Sequence, residues 1–201
     1  ELMIQTLTPE SLNEGIAWAD VIAIGPGLGQ SAWGQQAVDY VKKSNKPMLW
    51  DADALNLLAI APDIRHNRII TPHPGEAARL LHCSIEDIER DRFLAVTRLV
   101  ERYGGVALLK GAGTLVADSH AQAVLDVGNA GMASGGMGDV LSGIISGLLA
   151  EGLTLYDAAC AGGVAHGAAA DVLAQKTGTR GMLASDLFST LYPFVNPDLI
   201  T

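Results

Sequence analysis

The chain has 201 residues, of which 49% are hydrophobic, so it can bury one substantial core and is predicted to form a single domain, residues 1–201. A net charge of −9 without a basic run argues against nucleic acid or an anionic membrane surface as the main partner. We recognise no apolar run long enough to span a bilayer and no signal peptide, so we expect a cytoplasmic protein. In that compartment Cys83 and Cys160 are expected to be reduced thiols in the core.

The first part of the chain predicts a strand, a helix and a second strand. Glu1 stands where an initiator methionine would be, and residues 2–5 resemble a strand, so we expect the N-terminal portion of the domain to be absent. Thr8 followed by Pro9 is typical of a helix start, because threonine caps a helix and proline fits its first position. Residues 21–24 are continuously apolar, which predicts a strand covered on both faces.

Glycine-rich or acidic turns follow the first two buried strands. Residues 25–29, Gly-Pro-Gly-Leu-Gly, precede a helix predicted over residues 31–43; their spacing is not that of a dinucleotide-binding loop, and a structural turn is the alternative. Asp51 and Asp53 follow the strand at residues 47–51. Two acids there suit a ribose, a metal-bound water or a helix N-terminus, and a helix cap by Asp53 is the alternative.

Two later turns carry side chains that suit a phosphorylated ligand. His73 follows the strand at residues 68–71 and lies between two prolines, which restrict the backbone and hold the ring in place, so we favour a ligand contact. Glu76 follows in the first turn of the next helix. The strand at residues 106–110 ends on Lys110 before a run of glycines, and a cation beside open backbone suits a nucleotide phosphate.

Helices and a hairpin complete the second half of the chain. Residues 85–102 have the period of one helix, with Phe93 and Leu94 among its inward residues, and residues 114–127 predict a hairpin. Residues 157–176 predict a long helix of small residues, in which His166 is expected to be a hydrogen-bonded core histidine. The glycines of this helix and the preceding one predict close backbone packing: Gly162, Gly163 and Gly167 on one side, Gly143 and Gly147 on the other.

The glycine-rich stretch at residues 128–143 is the strongest indication of a functional site. It is followed by an apolar pattern of helical period, so the glycines come directly before the N-terminus of a predicted helix. The first N–H groups of a helix lack intrahelical partners and carry the positive end of its dipole, so a phosphate would fit against residues 135–138. Asp139, in the first turn, would then be a base for a substrate hydroxyl, with a simple helix cap as the alternative.

The alternation of strands and helices predicts an α/β fold with a mostly parallel sheet and helices on both faces. In a parallel sheet the carboxyl ends of the strands share one edge. The turns at residues 25–29, 51–53, 71–76 and 110–114 would therefore frame one cleft together with residues 135–139.

Five motifs occur in a characteristic order: Gly-Pro-Gly-Leu-Gly, Trp-Asp-Ala-Asp-Ala-Leu-Asn, Thr-Pro-His-Pro-Gly-Glu, Leu-Lys-Gly-Ala-Gly-Thr and Gly-Gly-Met-Gly-Asp. Together they closely resemble the ADP-dependent NAD(P)H-hydrate dehydratases of the ribokinase-like superfamily, over about residues 21–196. The resemblance implies a ribokinase-like fold and the repair of NADHX and NADPHX, the hydrated forms of the reduced nicotinamide cofactors. ADP or ATP, with Mg²⁺, would phosphorylate the ring hydroxyl, and loss of phosphate would restore NADH or NADPH.

The resemblance also implies a role for individual residues. Asp139 would be the catalytic base and, with Gly29 and His73, would contact the substrate. Gly135, Gly136 and Gly138 would form an anion hole for the phosphoryl group. The nucleotide would be bound by Lys110, Gly111, Ala112, Gly113, Thr114 and Gly138. Glu76 would organise magnesium through water.

Partners and alternatives complete the predictions. The resemblance implies a homo-oligomer, a tetramer, and an NAD(P)HX epimerase activity on the same polypeptide. One alternative is a ribokinase-like kinase of a small vitamin precursor such as hydroxyethylthiazole, which would share the Gly-Gly-Met-Gly-Asp loop and release a stable phosphorylated product. The other is a non-catalytic nucleotide-binding module, in which Asp139→Asn would bind ADP and behave as the parent protein does; the presence of both Asp139 and Lys110 argues against it.

Overall fold

A six-stranded sheet forms the centre of the protein in a computed structural model, which describes residues 3–196. The strands are Ile22–Ile24 (β1), Met48–Trp50 (β2), Arg68–Ile70 (β3), Val106–Leu109 (β4), Thr114–Ala117 (β5) and Gln122–Leu125 (β6). They lie side by side in chain order. The pairs from β1 to β4 are parallel, and the β4–β5 and β5–β6 pairs are antiparallel. The predicted mostly parallel sheet and the hairpin are both confirmed.

Helices connect and cover these strands. They are Pro9–Trp18 (α1), Ala32–Val41 (α2), Ala52–Ile60 (α3), Pro74–Leu81 (α4), Ile85–Arg90 (α5), Arg92–Tyr103 (α6), Met137–Ala150 (α7), Leu155–Thr177 (α8) and Phe188–Val195 (α9). Short 3-10 helices lie at Ala130–Met132 and Ala184–Leu187. The predicted start of α1 is confirmed, because Thr8 Oγ1 accepts the Ser11 N–H at 3.2 Å and Pro9 occupies the first position.

Alternate residues of β2 to β5 enter two apolar cores on opposite faces of the sheet. Met48 and Trp50 lie in the core that includes buried side chains of α2, α3, α4 and α6. Leu49, between them, lies in the core formed with α7 and α8. The central strands β2 to β4 are buried on both faces and carry apolar side chains apart from Arg68, as expected of parallel strands. The predicted layer of helices on each face is confirmed.

Close packing of α8 against α7 depends on Gly162 alone. The prediction is wrong for Gly163 and Gly167, which lie against Leu125 of β6 and against Val127. A Cβ on Gly162 would lie 2.6 Å from Ile145 Cγ1 of α7, closer than real Cβ contacts permit. The prediction that Gly143 and Gly147 complement these glycines is wrong, because both are exposed and a Cβ added to either would have no atom within 4 Å. The face of α7 that packs on α8 carries Ile145 instead, and the two glycines lie on the other side.

Two helices replace the single helix predicted over residues 85–102. At Asp91 the backbone has φ −147° and ψ 84°, outside the helical region. Its side chain accepts the Leu94 N–H at 2.9 Å and starts α6, because an aspartate can satisfy an unpaired N–H group of a new helix. Phe93 and Leu94 are consequently 54% and 44% exposed rather than inward-facing.

Predictions for the N-terminus and one cysteine are also corrected. Residues 3–5 are not in a strand, and Leu2 lies outside the described residues. Cys83 is exposed because it follows His82, whose left-handed backbone (φ 53°) ends α4, whereas Cys160 is half-buried. Within residues 3–196, no helix is both long and apolar enough to cross a membrane.

Candidate active site

The four parallel strands end at one edge of the sheet, where their main chains remain in contact. Asp51 N donates to Ile24 O at 3.1 Å, and Lys110 N donates to Pro72 O at 2.9 Å. Gly25 permits the first of these approaches, because a Cβ there would overlap the carbonyl oxygen of Asp51. The predicted shared edge is therefore confirmed for the turns at residues 25–29, 51–53, 71–76 and 110–114.

Lys110 is the centre of a group of polar side chains at this edge. Its Nζ lies 2.9 Å from Asp51 Oδ1 and 3.8 Å from Glu76 Oε2. Ser142, on α7, donates its hydroxyl to the other oxygen of Asp51 at 3.1 Å. Both acids are buried, whereas 22% of the Lys110 side chain is exposed. The two carboxylates thus hold the ammonium in place while part of the lysine remains accessible.

The N-terminus of α7 lies directly against this group. The helix begins at Met137, and Gly136 is its N-cap with φ 84°. A Cβ on Gly138 would lie 3.3 Å from Lys110 Nζ and 3.4 Å from Asp51 Oδ2. The unpaired N–H groups of the first turn and the lysine ammonium are therefore close together, an arrangement that favours an anion.

Asp139 lies in the first turn of α7, as predicted, and is exposed. Among the described residues, no side chain caps the N-terminus of α7. The alternative that Asp139 merely caps the helix is therefore wrong. Gly135 and Gly136 are exposed beside it. The carboxylate is consequently available to a ligand bound at the helix N-terminus.

Asp53 connects the turn after β1 to α3. Its Oδ2 accepts the Gly29 N–H at 2.9 Å, and its Oδ1 accepts Gln30 Nε2 at 3.2 Å and Asn56 Nδ2 at 3.3 Å. The hydrogen bond from the Gly29 amide is the main cause that lowers the pKa of Asp53. The helix-cap alternative for Asp53 is wrong, because α3 has no side-chain cap among the described residues.

His73 is held rigidly at the start of α4. Its Nδ1 accepts the Gly75 N–H at 3.0 Å, and Glu76 Oε2 accepts the His73 backbone N–H at 2.8 Å. Burial lowers the pKa of His73, so the ring is neutral near pH 7. Because Nδ1 is an acceptor, the proton of the neutral ring lies on Nε2, which is 3.6 Å from Glu76 Oε1. Half of the side chain, 51%, is exposed, so a ligand can reach it.

Exposed main chain follows β4 at residues 111–113, and Thr114 opens β5. The guanidinium of Arg92, the first residue of α6, donates to the carbonyl oxygen of Ala112 and, at 3.3 Å, to that of Leu109. The arginine thus holds this turn through its carbonyl groups, and residues 111–113 remain exposed to a ligand.

His166 differs from its prediction in one respect. It is buried on α8, with 6% of its surface exposed, near the backbone of Met137 in the first turn of α7. Burial lowers its pKa to about 4, so the ring is neutral. The expectation that its nitrogens are hydrogen-bonded is wrong for Nε2, which is buried without a partner among residues 3–196.

A carboxylate on α8 fixes the start of the glycine-rich stretch at residues 128–143. Asp171 Oδ2 accepts the Gly128 N–H at 2.8 Å, and its Oδ1 accepts Asn129 Nδ2 at 2.9 Å. Asn129 Oδ1 in turn accepts the Gly131 N–H at 3.0 Å. The loop therefore takes its conformation partly from a side chain more than forty residues further along the chain.

Three of the side chains that organise this site were not found from the sequence. Ser142 follows Asp139 by three residues, so the helical period alone would have placed it near the same face of α7. Arg92 and Asp171 carry no comparable signal, because their partners are distant in sequence.

The sheet order and the glycine-rich turn at the N-terminus of α7 define the chain as a ribokinase-like α/β protein. A solved ribokinase-like superfamily protein from Enterococcus faecalis has a TM-score of 0.77 at 28% identity, over 92% of this chain and 67% of that one. The sequence profile of the NAD(P)H-hydrate dehydratase family matches residues 1–193. The chain belongs to the NAD(P)H-hydrate dehydratase family.

Two relatives are similar along almost the whole chain. The bifunctional NAD(P)H-hydrate repair enzyme Nnr of Escherichia coli K12 is 68% identical over 201 aligned residues, which cover 99% of this chain and 39% of that enzyme. An ADP/ATP-dependent NAD(P)H-hydrate dehydratase from Bacillus subtilis, co-crystallised with ATP and Mg²⁺, is 31% identical with a TM-score of 0.80, over 89% of this chain and 64% of that one. The chain thus spans about two fifths of the length of the E. coli relative.

Proposed function

We propose that this chain catalyses the dehydration of NADHX and NADPHX to NADH and NADPH, with ADP or ATP as the phosphoryl donor. The observation that carries the proposal is the proximity of Gly138, at the N-terminus of α7, to the Lys110–Asp51 ion pair. An anion site, a fixed cation and the accessible carboxylate of Asp139 lie within one helical turn of each other. Family membership supports the identity of the substrate.

The phosphoryl group would bind against the first turn of α7. In this proposal Gly135, Gly136 and Gly138 supply an anion hole of backbone N–H groups, and Lys110 adds a positive charge. Residues 111–113, with Thr114, contribute exposed backbone for the rest of the nucleotide. Phosphoryl transfer requires positioning and charge stabilisation more than covalent assistance, and these groups supply both.

Mg²⁺ fits the acidic side of the same group. Asp51 and Glu76 each have a carboxylate oxygen near Lys110 Nζ, at 2.9 Å and 3.8 Å. No cluster of three or more ligating acids, histidines or cysteines occurs within residues 3–196. Two carboxylates suit Mg²⁺, which commonly keeps several waters and binds through one or two acids and the phosphates of a nucleotide. Bound there, the ion would neutralise charge on the transferred phosphoryl group.

Asp139 would act as the base. It accepts the proton of the substrate hydroxyl as the hydroxyl oxygen forms a bond to the phosphorus of the donor, and the bond from that phosphorus to the remaining nucleotide breaks. Phosphate is a better leaving group than hydroxide. Its departure with the C–O bond electrons, together with loss of one ring proton, regenerates the double bond of the dihydronicotinamide.

Gly29 and His73 would contact the hydrated nicotinamide part of the substrate. They follow β1 and β3, on strand ends that flank Asp51. The neutral His73 ring offers its Nε2 proton as a donor, and the left-handed turn at Gly29 (φ 72°) leaves open backbone without a side chain.

Three further parts of the proposal follow from the family resemblance. We infer an NAD(P)HX epimerase activity on the same polypeptide, which the word bifunctional in the name of the E. coli relative supports. We also infer a homotetramer and a cytoplasmic location. Sedimentation analysis of the protein expressed from its full-length gene tests the tetramer directly.

The test of the function uses that full-length protein with NADHX, Mg²⁺ and either ADP or ATP, and follows the return of dihydronicotinamide absorbance. Recovery that requires a nucleotide and is lost in Asp139→Asn supports the dehydratase and identifies its donor. Absence of recovery from a protein that binds ADP would contradict it. Accumulation of a stable phosphorylated product from hydroxyethylthiazole would instead favour the vitamin-precursor kinase, and equal behaviour of Asp139→Asn and the unaltered protein would favour a binding module.

A further inference from the structure

We propose that Asp53 is a positioning residue that fixes the Gly29 turn relative to the His73 turn and thereby sets the fit of the hydrated nicotinamide ring. The inference rests on the proposed function for the identity of this ligand. Asp53 itself would touch neither the nucleotide nor the reacting hydroxyl. Its role would be to hold two strand ends at the spacing that the ring requires.

The turn at Gly29 is held from both sides. Its N–H donates to Asp53 Oδ2 at 2.9 Å. On the other side its carbonyl oxygen packs on the first turn of α2, where a Cβ on Gly34 would overlap it. A peptide fixed at both its amide and its carbonyl group has little freedom to adjust to a ligand, so the position of Asp53 determines the position of the turn.

A relay of side chains continues from Asp53 to α4. Its Oδ1 accepts Asn56 Nδ2 at 3.3 Å, and Asn56 Oδ1 accepts Arg79 Nε at 2.9 Å. Arg79 lies on α4, whose first turn contains the capping box of His73 and Glu76. The relay therefore joins the turn after β1, the helix α3 and the helix that begins at His73.

The backbone around Asp53 is shaped for this long-range contact rather than for the local helix. Among the described residues α3 has no side-chain cap, and Asp53 Oδ2 accepts the distant Gly29 N–H instead. Ala52, immediately before it, has φ 47°, a left-handed conformation that is unfavourable for alanine. On either side of Ala52, Asp51 binds Lys110 and Asp53 binds Gly29. Strain of this kind concentrates at functional sites.

The kinetic test compares Asp53→Asn with the unaltered full-length protein. Asparagine keeps the shape of the side chain but loses the charge and one acceptor oxygen, so the Gly29 turn is held less firmly. We expect KM for NADHX to rise about tenfold, as for the loss of one hydrogen bond to a charged group, while KM for ADP stays within about twofold. The matched control is Asp157→Asn at the N-terminus of α8, another first-turn acid, whose carboxylate accepts the Thr154 hydroxyl. It should change neither constant.

Equal effects of Asp53→Asn on both KM values, or a loss of thermal stability without any change in KM, would overturn the proposal. Amide hydrogen exchange provides a readout that does not depend on activity. In Asp53→Asn, and also in Arg79→Gln at the far end of the relay, we expect faster exchange in residues 25–31 and in residues 71–77. Faster exchange confined to the segment next to each substitution would refute the relay. If the unaltered protein cannot restore NADH, the proposed function fails, but the exchange measurement still decides the role of Asp53.

Discussion

Gly138 of α7 lies beside the ammonium group of Lys110 from the end of β4, with only 3.3 Å between Lys110 Nζ and the place that a Cβ on Gly138 would occupy. The space available to a phosphate is therefore defined by a missing side chain on one element and a charged side chain on another. Each half comes from a different part of the chain, and neither forms an anion site by itself.

Substitution Gly138→Ala should weaken nucleotide binding without unfolding the protein. The added methyl group occupies space that a phosphate oxygen would need, whereas alanine stabilises a helix by about 0.5–1 kcal/mol relative to glycine. We expect KM for ADP to rise at least about tenfold with a melting temperature that is unchanged or slightly higher. The control is Gly143→Ala on the same helix, which is exposed with no atom within 4 Å of its added Cβ and should raise stability alone. Unaltered ADP kinetics in Gly138→Ala would place the phosphate elsewhere.

Substitution Asp139→Asn should abolish most of the catalysis and leave binding intact. A positioned general base typically contributes about 10²–10⁴-fold to the rate, and asparagine cannot accept the proton. We expect kcat to fall within that range while calorimetry gives an unchanged affinity for ADP. Asp20→Asn, at an exposed acid before the amino end of β1, is the control that should retain full activity. A fall in affinity equal to the fall in kcat would argue that Asp139 binds rather than reacts.

Substitution Ala52→Gly should stabilise the protein, in contrast to most alanine-to-glycine changes. Relief of the left-handed conformation contributes about 1–2 kcal/mol, and the extra flexibility of glycine in the unfolded chain costs about 0.5–1 kcal/mol. The free energy of unfolding should therefore rise by about 0.5–1 kcal/mol in urea titrations. Ala161→Gly, at an exposed position inside α8, should lower it by about the same amount. A decrease at both positions would show that Ala52 is not strained.

We expect the buried His166 to make the protein less stable in acid. Its pKa is about 4 in the folded protein and near 6.5 in the unfolded chain, so between these values the unfolded chain binds the extra proton. The contribution of the neutral ring to stability is therefore complete above pH 6.5 and is lost as the pH falls towards 4. The free energy of unfolding decreases by at most about 3 kcal/mol over this range. Unfolding free energies should fall less steeply over this range in His166→Gln, which cannot be protonated. Parallel pH profiles for the two proteins would contradict the burial of an uncharged imidazole.

Features set by local sequence were predicted well. The strand ends were located because glycine, proline and acidic residues follow short apolar runs, and Asp139 was placed in the first turn of α7 because the apolar period begins beside it. Asp91 was missed because its sequence is compatible with both a continuous helix and a new N-cap, and only the tertiary packing selects the second. A segment that is compatible with two local conformations does not itself show which of them the folded protein adopts.

Long-range partners account for the remaining differences. Asp53 was expected to choose between a ligand and its own helix, but it binds an amide 24 residues earlier. His166 was correctly expected to be buried, yet burial alone does not supply a partner for Nε2. The glycines of α7 were assigned to the α8 interface on composition, although the helical phase of Ile145 places them on the other side.

The close approach of Gly25 to the carbonyl oxygen of Asp51 joins two strand ends through their peptide groups. Peptide groups are common to every residue type, so this junction is independent of which side chains surround it. New substrate preferences can therefore arise by changes at the rim, at exposed positions such as Gln30 or His73, without rebuilding the phosphate site beneath. A redesign of this protein for another hydroxylated ring would begin at those positions and leave Gly25 untouched.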